Sequence, residues 1–542
     1  MDCPHLPRKA GLVSLWRLWR CPECRAARPI DKVLARGIAR MQAEPAPPSG
    51  QARALAALSA LYPPRPRSRP RPLWRQLPRP AGLVTLALAG AGYGWVCWSD
   101  VDPNVTIPTP AMPRDNAFAT LRGVSDALAN SEQVGWAVSS KIKPGDKPVS
   151  GKPPSFTGIS PSGQPSDLLA NLRADHIYTY AEKTALLQRN AEALAIFRRA
   201  LQQPYQAPVH SIDDESSNAY SYLNGYRSLA RLLALEQQVR AAQGDWNGAV
   251  NSGLDAVQLG GQITRGEGMI GDFTGIACAK IGRKQIWKEL PHLDAAEARA
   301  AARRLERILA LQAPLKDVVQ EEKWRYQAEM EHIFHQPGWR FDLFSSSPND
   351  PMEHEISSVV SWLRLLPYTR RRIMEEGSRY MDRQVANARL PFSEQQPRVD
   401  SQPEPDSYGR QAPDPPVPDD PVNNLMLVSC DGLRLSHTNE RAQNALLLTA
   451  ASLQAYREDH GVYPARLSQL VPRYLPAVPD DPFAAQGPLR YRRAGARYVL
   501  YSVGPDGRDD GGTPIEDMRN DTANRFSVTG HSPGDIVAGV NF

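Results

Sequence analysis

The chain has 542 residues, 41% hydrophobic and 23% charged, with a formal net charge of +6 and six cysteines. That length accommodates two or three domains. Six cysteines split unevenly along it exclude a disulfide framework, and the charge says more by its distribution than by its sum.

From Met1 to Pro80 there are sixteen Arg or Lys against four Asp or Glu, a net of +12, which leaves about −6 for the rest. Residues 1–44 form a basic arm containing Cys21-Pro22-Glu23-Cys24-Arg25. A CxxC spacing lets two thiolates grip one zinc ion, and Cys3 with His5 supplies two more ligands of the right softness. The alternative is a reduced, unliganded pair. The CxxC pair followed by a basic helix over Asp31–Met41 resembles the zinc-binding head of membrane-bound anti-sigma factors, although that family's histidine four residues before the first cysteine is Arg17 here. Residues 45–80 are rich in Pro and Arg, as in Pro63-Pro64-Arg65-Pro66-Arg67, and read as an extended tether lying against anionic lipid headgroups. With only Tyr62 and Trp74 as aromatics and none interleaved among its arginines, the tether is not expected to bind nucleic acid.

Residues 81–98 carry no charge, and Tyr93, Trp95 and Trp98 gather at their C-terminal end. At 1.5 Å per residue they reach roughly 27 Å, enough for one transmembrane helix with an aromatic belt. Arg75 and Arg79 before it, and Asp100 and Asp102 after it, place the N-terminus in the cytoplasm and the bulk of the chain outside, in a single pass through a bacterial inner membrane. The other reading is a buried soluble helix.

Residues 99–165 are a spacer with one short helix over Asn116–Asn130 and a Lys/Pro/Gly/Ser-rich loop. Residues 166–390 turn strongly helical. Apolar positions recur at helical intervals from Leu168 to Leu187, then over Ala191–Leu201, Ser216–Gln243, Trp246–Gly260, Ala295–Gln312, Leu315–Phe334 and Ile356–Ala388. The Gly244-Asp245-Trp246 turn between two such stretches resembles a tetratricopeptide helix pair, within an irregular array that lacks a clean repeat. Its surface would suit protein partners. Glu331-His332 and His335 are read as a solvated helical face rather than a metal site, and Arg370-Arg371-Arg372 as a charged one. Cys278 and Cys430, both on the outer side, are close enough in type and compartment for one disulfide bridge.

A Pro-rich acidic linker covers 391–422, and Asn424–Ser429 reads as a short apolar strand. Over 423–542 the pattern becomes α+β. A helix from Ala445 ends at His460-Gly461 and a proline-interrupted arm follows. Leu489–Arg492 and Tyr498–Ser502 then form a hairpin turning at Ala494-Gly495, before an acidic, glycine-rich loop over Gly504–Gly512. His460-Gly461-Val462-Tyr463-Pro464, Asp480-Asp481-Pro482-Phe483, Pro488-Leu489-Arg490-Tyr491, Tyr501-Ser502-Val503-Gly504-Pro505-Asp506-Gly507 and Asp535-Ile536 together resemble the globular domain of the major pseudopilin of type II secretion systems. The resemblance covers about a fifth of the chain. It implies one long helix on a small antiparallel sheet, with calcium in the loop held by Asp506, Asp510 and Asp535. Asp509 and Asp517 are further oxygen donors, hard cations taking six to eight. No basic leader or apolar helix adjoins Ala445, so the domain reads as a borrowed module.

The expected fold class is therefore α+β, mostly α-helical, with one transmembrane helix. No GxSxG, Walker or dinucleotide-binding motif occurs in a usable context. The expected function is a noncatalytic, membrane-anchored envelope scaffold or binding protein. The alternatives are a transmembrane regulator of anti-sigma type with a zinc head, and an enzyme in the helical region. Oligomeric state is left open.

Overall fold

The computed structural model describes residues 100–140 (except 104 and 109), 176–208, 221–336, 339–343, 365, 367–395, 417–516 (except 428), 525–530 and 533–541, with positions 90, 91 and 94. The basic arm, the tether and nearly all of the 81–98 segment lie outside these residues. Among those described, no helix is long and apolar enough to cross a membrane.

The fold is α+β and mostly helical. In chain order come α1 (Ala117–Asp126), α2 (Ser131–Ser139), α3 (Tyr180–Arg189), α4 (Ala191–Ala200), α5 (Ser221–Ala242), α6 (Trp246–Gln262), α7 (Gly268–Glu289), α8 (Ala295–Leu311), α9 (Leu315–His335), α10 (Trp339–Asp342), α11 (Arg370–Asn387), α12 (Pro421–Met426) and α13 (Asp431–His460). Strands β1 (Arg490–Ala494), β2 (Arg497–Ser502) and β3 (Ile536–Val537) then form one antiparallel sheet in the order β1-β2-β3. The ends follow local chemistry. Asn116 caps α1 by accepting the N–H of Phe118, Asp245 caps α6 through Gly248, and Asp294 with Glu297 forms a capping box on α8. Gly461, at φ +76°, closes α13 in the left-handed conformation.

Helix α7 was not legible as an element. It is packed by α5, α6, α9 and α13, but it buries Asp272, Thr274 and Arg283 and exposes Ile270 and Phe273, so it lacks the clean apolar stripe of an ordinary amphipathic helix. Glycines let it lie against α6. A Cβ on Gly275 would sit 2.3 Å from the Gly260 carbonyl oxygen, and one on Gly282 would sit 2.6 Å from that of Gly253. The crossing is backbone against backbone.

One hydrophobic core runs without a break from the array into the carboxyl-terminal region. It joins Val250 and Ile286 to Leu305, then Leu446, Leu453, Phe483, Leu500 and Ile536. Helix α13 packs on α8 and α7 along one side and meets β2 on the other. The region from 423 onward is thus built into the helical array.

Several expectations need correction. The 421–426 segment is a helix rather than a strand, because Asp420 accepts the N–H of Asn423 and Pro421 occupies the first turn. Helix α13 starts at Asp431, fourteen residues before Ala445; its added turns bury the polar Arg434, His437, Glu440, Gln443 and Asn444, which hide the apolar period. The Asn116–Asn130 segment is followed by a second helix, α2. Ile177, expected in a helix, is exposed in the coil before α3. Cys278 and Cys430 are free and buried in different core clusters, so they form no bridge. Arg370 does not face solvent but pairs with Asp100 and Asp102.

Candidate functional site

The turn between α8 and α9, the end of α11, the first turns of α13 and the proline-rich arm meet around a cleft of about 620 Å³. Pro314 ends one helix and admits the next, which places Gln312 and Leu315 on one wall. After α11 the chain turns through Pro391 and Phe392; Phe392 packs edge-on against Phe483 of the arm, with ring centroids 4.8 Å apart. Asp481 anchors that arm by accepting the Ser502 hydroxyl at 2.6 Å, the Val503 N–H at 2.9 Å and the Phe483 N–H at 3.1 Å. Its carboxylate is thus a structural cross-brace between arm and sheet.

His437, which lines the cleft, leads into a buried ionic network. His437 Nδ1 stands 3.2 Å from Asp272 Oδ2, with both residues buried. Three and seven residues further along α13, on the same face, Glu440 and Asn444 meet Arg283. Its Nη1 and Nη2 donate to the two Glu440 oxygens at 2.7 and 2.8 Å, and Nη1 also donates to Asn444 Oδ1 at 2.8 Å. Both pairs link α7 to α13. A recess of about 20 Å³ opens beside His437, room for a single water. An imidazole oriented by a carboxylate has the form of a general base, but among the described residues no hydroxyl or thiol is hydrogen-bonded to His437. Arg389 and Arg441 line the cleft, both exposed, and their guanidinium groups pair with no other described residue; Lys316 adds a third cation.

A second polar cluster lies at the turn between α6 and α7. Glu267 is fully buried, and its Oε1 accepts the Tyr222 hydroxyl at 2.5 Å and the Tyr205 hydroxyl at 3.1 Å. Beside it, Glu321 accepts the Gly266 N–H at 2.7 Å and Glu322 the Met269 N–H at 2.8 Å. Burial pushes the Glu267 and Glu321 carboxyls up to about 7. This cluster fastens the turn to α9.

Of the residues expected to hold metals, Cys3, His5, Cys21 and Cys24 lie outside the described residues, as does Asp517. In the carboxyl-terminal loop, Asp535 is fully buried and accepts the Gly512 N–H at 2.7 Å and the Asp510 N–H at 3.3 Å. Burial, with the charges of Asp509 and Asp510, pushes its carboxyl up to about 6. Asp506 accepts the Arg508 N–H, and Asp509 accepts the Tyr501 hydroxyl and pairs with Arg490. The structure therefore brings Asp510 to Asp535 through main chain rather than carboxylate. Among the described residues no group of three or more His, Cys, Asp or Glu stands ready to hold a metal ion. His335 Nδ1 meets the Glu331 carbonyl and His332 meets Gln336, so the two imidazoles do not converge.

The cleft itself escaped sequence inspection because its residues come from four separated stretches. The one local signal, His437 among polar residues preceding an apolar helix, looks like a solvated lead-in. No protein-family model, curated protein or solved structure matches the chain.

Proposed function

We propose that this chain is a noncatalytic, membrane-anchored envelope scaffold or binding protein. It presents an irregular tetratricopeptide-like helical array fused to a pseudopilin-like carboxyl-terminal module. The observation that carries this reading is the unbroken core through α6, α8, α13 and β2, with a 620 Å³ cleft at the seam. A binding surface assembled from several elements must be rigid to be selective, and a shared core supplies that rigidity. The long α13 on a small antiparallel sheet supports the pseudopilin likeness. The Gly244-Asp245-Trp246 turn, with Gly244 at φ +81° and Trp246 stacked on His292 at 4.1 Å, supports the helix-pair likeness.

Fractionation of cells expressing the full chain tests the anchor. Release only by detergent, with a carboxyl-terminal tag digestible from outside spheroplasts, is the expected result. Recovery in the soluble fraction, or a tag protected in intact spheroplasts, overturns it.

Calcium in the carboxyl-terminal loop belongs to the same proposal. The donor chemistry suits a hard cation: Asp510 keeps a carboxylate bonded to no other described residue, and Asp506 keeps one free oxygen. As they stand the three carboxylates do not converge, so a bound cation would have to draw Asp506 and Asp510 toward Asp535. Melting of the full chain with calcium and with chelator decides the matter, since identical curves remove the cation.

A further inference from the structure

We infer that the cleft between α8, α11, α13 and the arm is a docking groove for an extended acidic peptide segment of a protein partner, its carboxylates facing Arg389 and Arg441 and its apolar side chains facing Leu390 and Phe392. The inference rests on the reading of the chain as a binding protein and names the class of its ligand.

Three independent features point to that occupant. The first is charge. Lys316, Arg389 and Arg441 come from three different elements onto one cleft, and the two guanidiniums are paired with no other described residue. Against them stands Asp480 at the rim, while Asp481 is already held by three donors. Long cationic side chains left unpaired around a concavity attract carboxylates.

The second is the apolar wall. Leu390 is 42% exposed at the cleft, a large hydrophobe left uncovered beside Pro391 and Phe392. A small inorganic anion would leave that wall wet, whereas a peptide alternating acidic and apolar residues covers it. The volume of about 620 Å³ holds a few residues of extended chain.

The third is an unmet hydrogen bond. Gln395 lines the cleft and is 5% exposed; its Nε2 donates to the Leu390 carbonyl at 2.9 Å, yet its Oε1 is buried with no partner. Such an acceptor costs free energy until a donor arrives. A small turn of the Gln395 side chain on peptide entry would present that oxygen to a main-chain N–H of an extended segment, a donor that a free carboxylate lacks.

The experiment uses the full chain in detergent with a short fluorescein-labelled peptide alternating leucine and glutamate, followed by fluorescence anisotropy. The matching leucine–glutamine peptide and free glutamate serve as competitors. Saturable binding is expected, weakened at least about tenfold by Arg389→Glu with Arg441→Glu and several-fold by Gln395→Leu, with neither competitor effective. Absence of binding overturns the proposal, as does equal binding by the double variant. Equal competition by the glutamine peptide would make the groove an apolar dock, and competition by free glutamate a small-anion site; either result also overturns it. Circular dichroism of each variant separates lost binding from lost folding. The fractionation result is independent of all these outcomes, so the groove can fail while the anchored scaffold stands.

Discussion

Asp100 Oδ1 accepts the main-chain N–H of Arg370, the first residue of α11, at 2.6 Å, while Arg370 Nη2 donates back to the Asp100 carbonyl at 2.8 Å. The guanidinium also pairs with Asp102, and Arg340 adds a second cation to Asp100 at 3.1 Å. The carboxylate therefore sits at a helix N-terminus, where the exposed N–H groups favour negative charge. Two acids that follow the expected span directly are fastened to a helix 270 residues later. The tie holds residues 100–102 against the helical domain.

Asp100→Ala removes the acceptor and takes a carboxylate away from the half-buried Arg370 and the buried Arg340. We expect a loss of about 1–3 kcal/mol, from the cost of an unpaired buried donor. Amide hydrogen exchange should quicken first over residues 100–108 and in the first turn of α11. Unchanged exchange there would show that the segment is held by something else.

The glycine crossing of α6 and α7 gives a sharper contrast. A side chain at Gly275 or Gly282 meets a carbonyl oxygen at 2.3 or 2.6 Å, so the helices must move apart and open the central core. Gly275→Ala should cost about 1–3 kcal/mol as overpacking does. Gly123, inside α1, has nothing within 4 Å of its would-be Cβ. Gly123→Ala should stabilise by up to about 1 kcal/mol through helix propensity. Thermal melting of the two variants should move in opposite directions.

Legibility followed burial pattern. The hairpin was readable because Gly495, at φ +62°, sits where the Ala494–Arg497 pair demands a tight turn, and because its strands run unbroken on either side. The end of α13 was readable from Gly461. The start of that helix was not, since Arg434, His437, Glu440 and Asn444 look like surface residues until Gln384, Asp272 and Arg283 are placed opposite them. For the same reason α7 vanished: it buries Asp272, Thr274 and Arg283 while exposing Ile270 and Phe273, which blurs its apolar period. Residues facing the cleft share no local motif; they converge only through the packing of α8, α11 and α13.

Glu267 makes stability depend on pH. Its carboxyl is raised to about 7 in the fold by burial, against an ordinary value near 4.5. The folded state thus holds the proton more tightly than the unfolded chain. The contribution is complete below about pH 4.5 and is lost progressively as pH rises through about 7. Glu267→Gln keeps an acceptor for Tyr222 and Tyr205 without the ionisation. Relative to the parent, the variant should gain on the order of 3 kcal/mol between pH 5 and pH 8. Urea unfolding at the two pH values measures the difference; a gap that stays constant would mean Glu267 does not change protonation there.

The Arg283–Glu440 pair carries the seam between the array and the carboxyl-terminal region, and its removal can be done in two ways. Their side chains are 4% and 8% exposed, so both charges were taken out of water and are offset mainly by each other and by Asn444. Glu440→Leu alone leaves a guanidinium buried without its counter-charge, at about 3–5 kcal/mol. Arg283→Met alone strands the carboxylate at a similar cost. Removing both replaces a desolvated pair by apolar volume in a seam already lined by hydrophobes, which is often neutral or better. The double variant should therefore be more stable than either single one, with a coupling of several kcal/mol in a double-mutant cycle. Because α7 and α13 belong to opposite halves of one core, every variant should still unfold in a single transition. Additive losses would show the pair to be uncoupled, and a second transition confined to the single variants would show that the seam, rather than the shared hydrophobic core, joins the two regions.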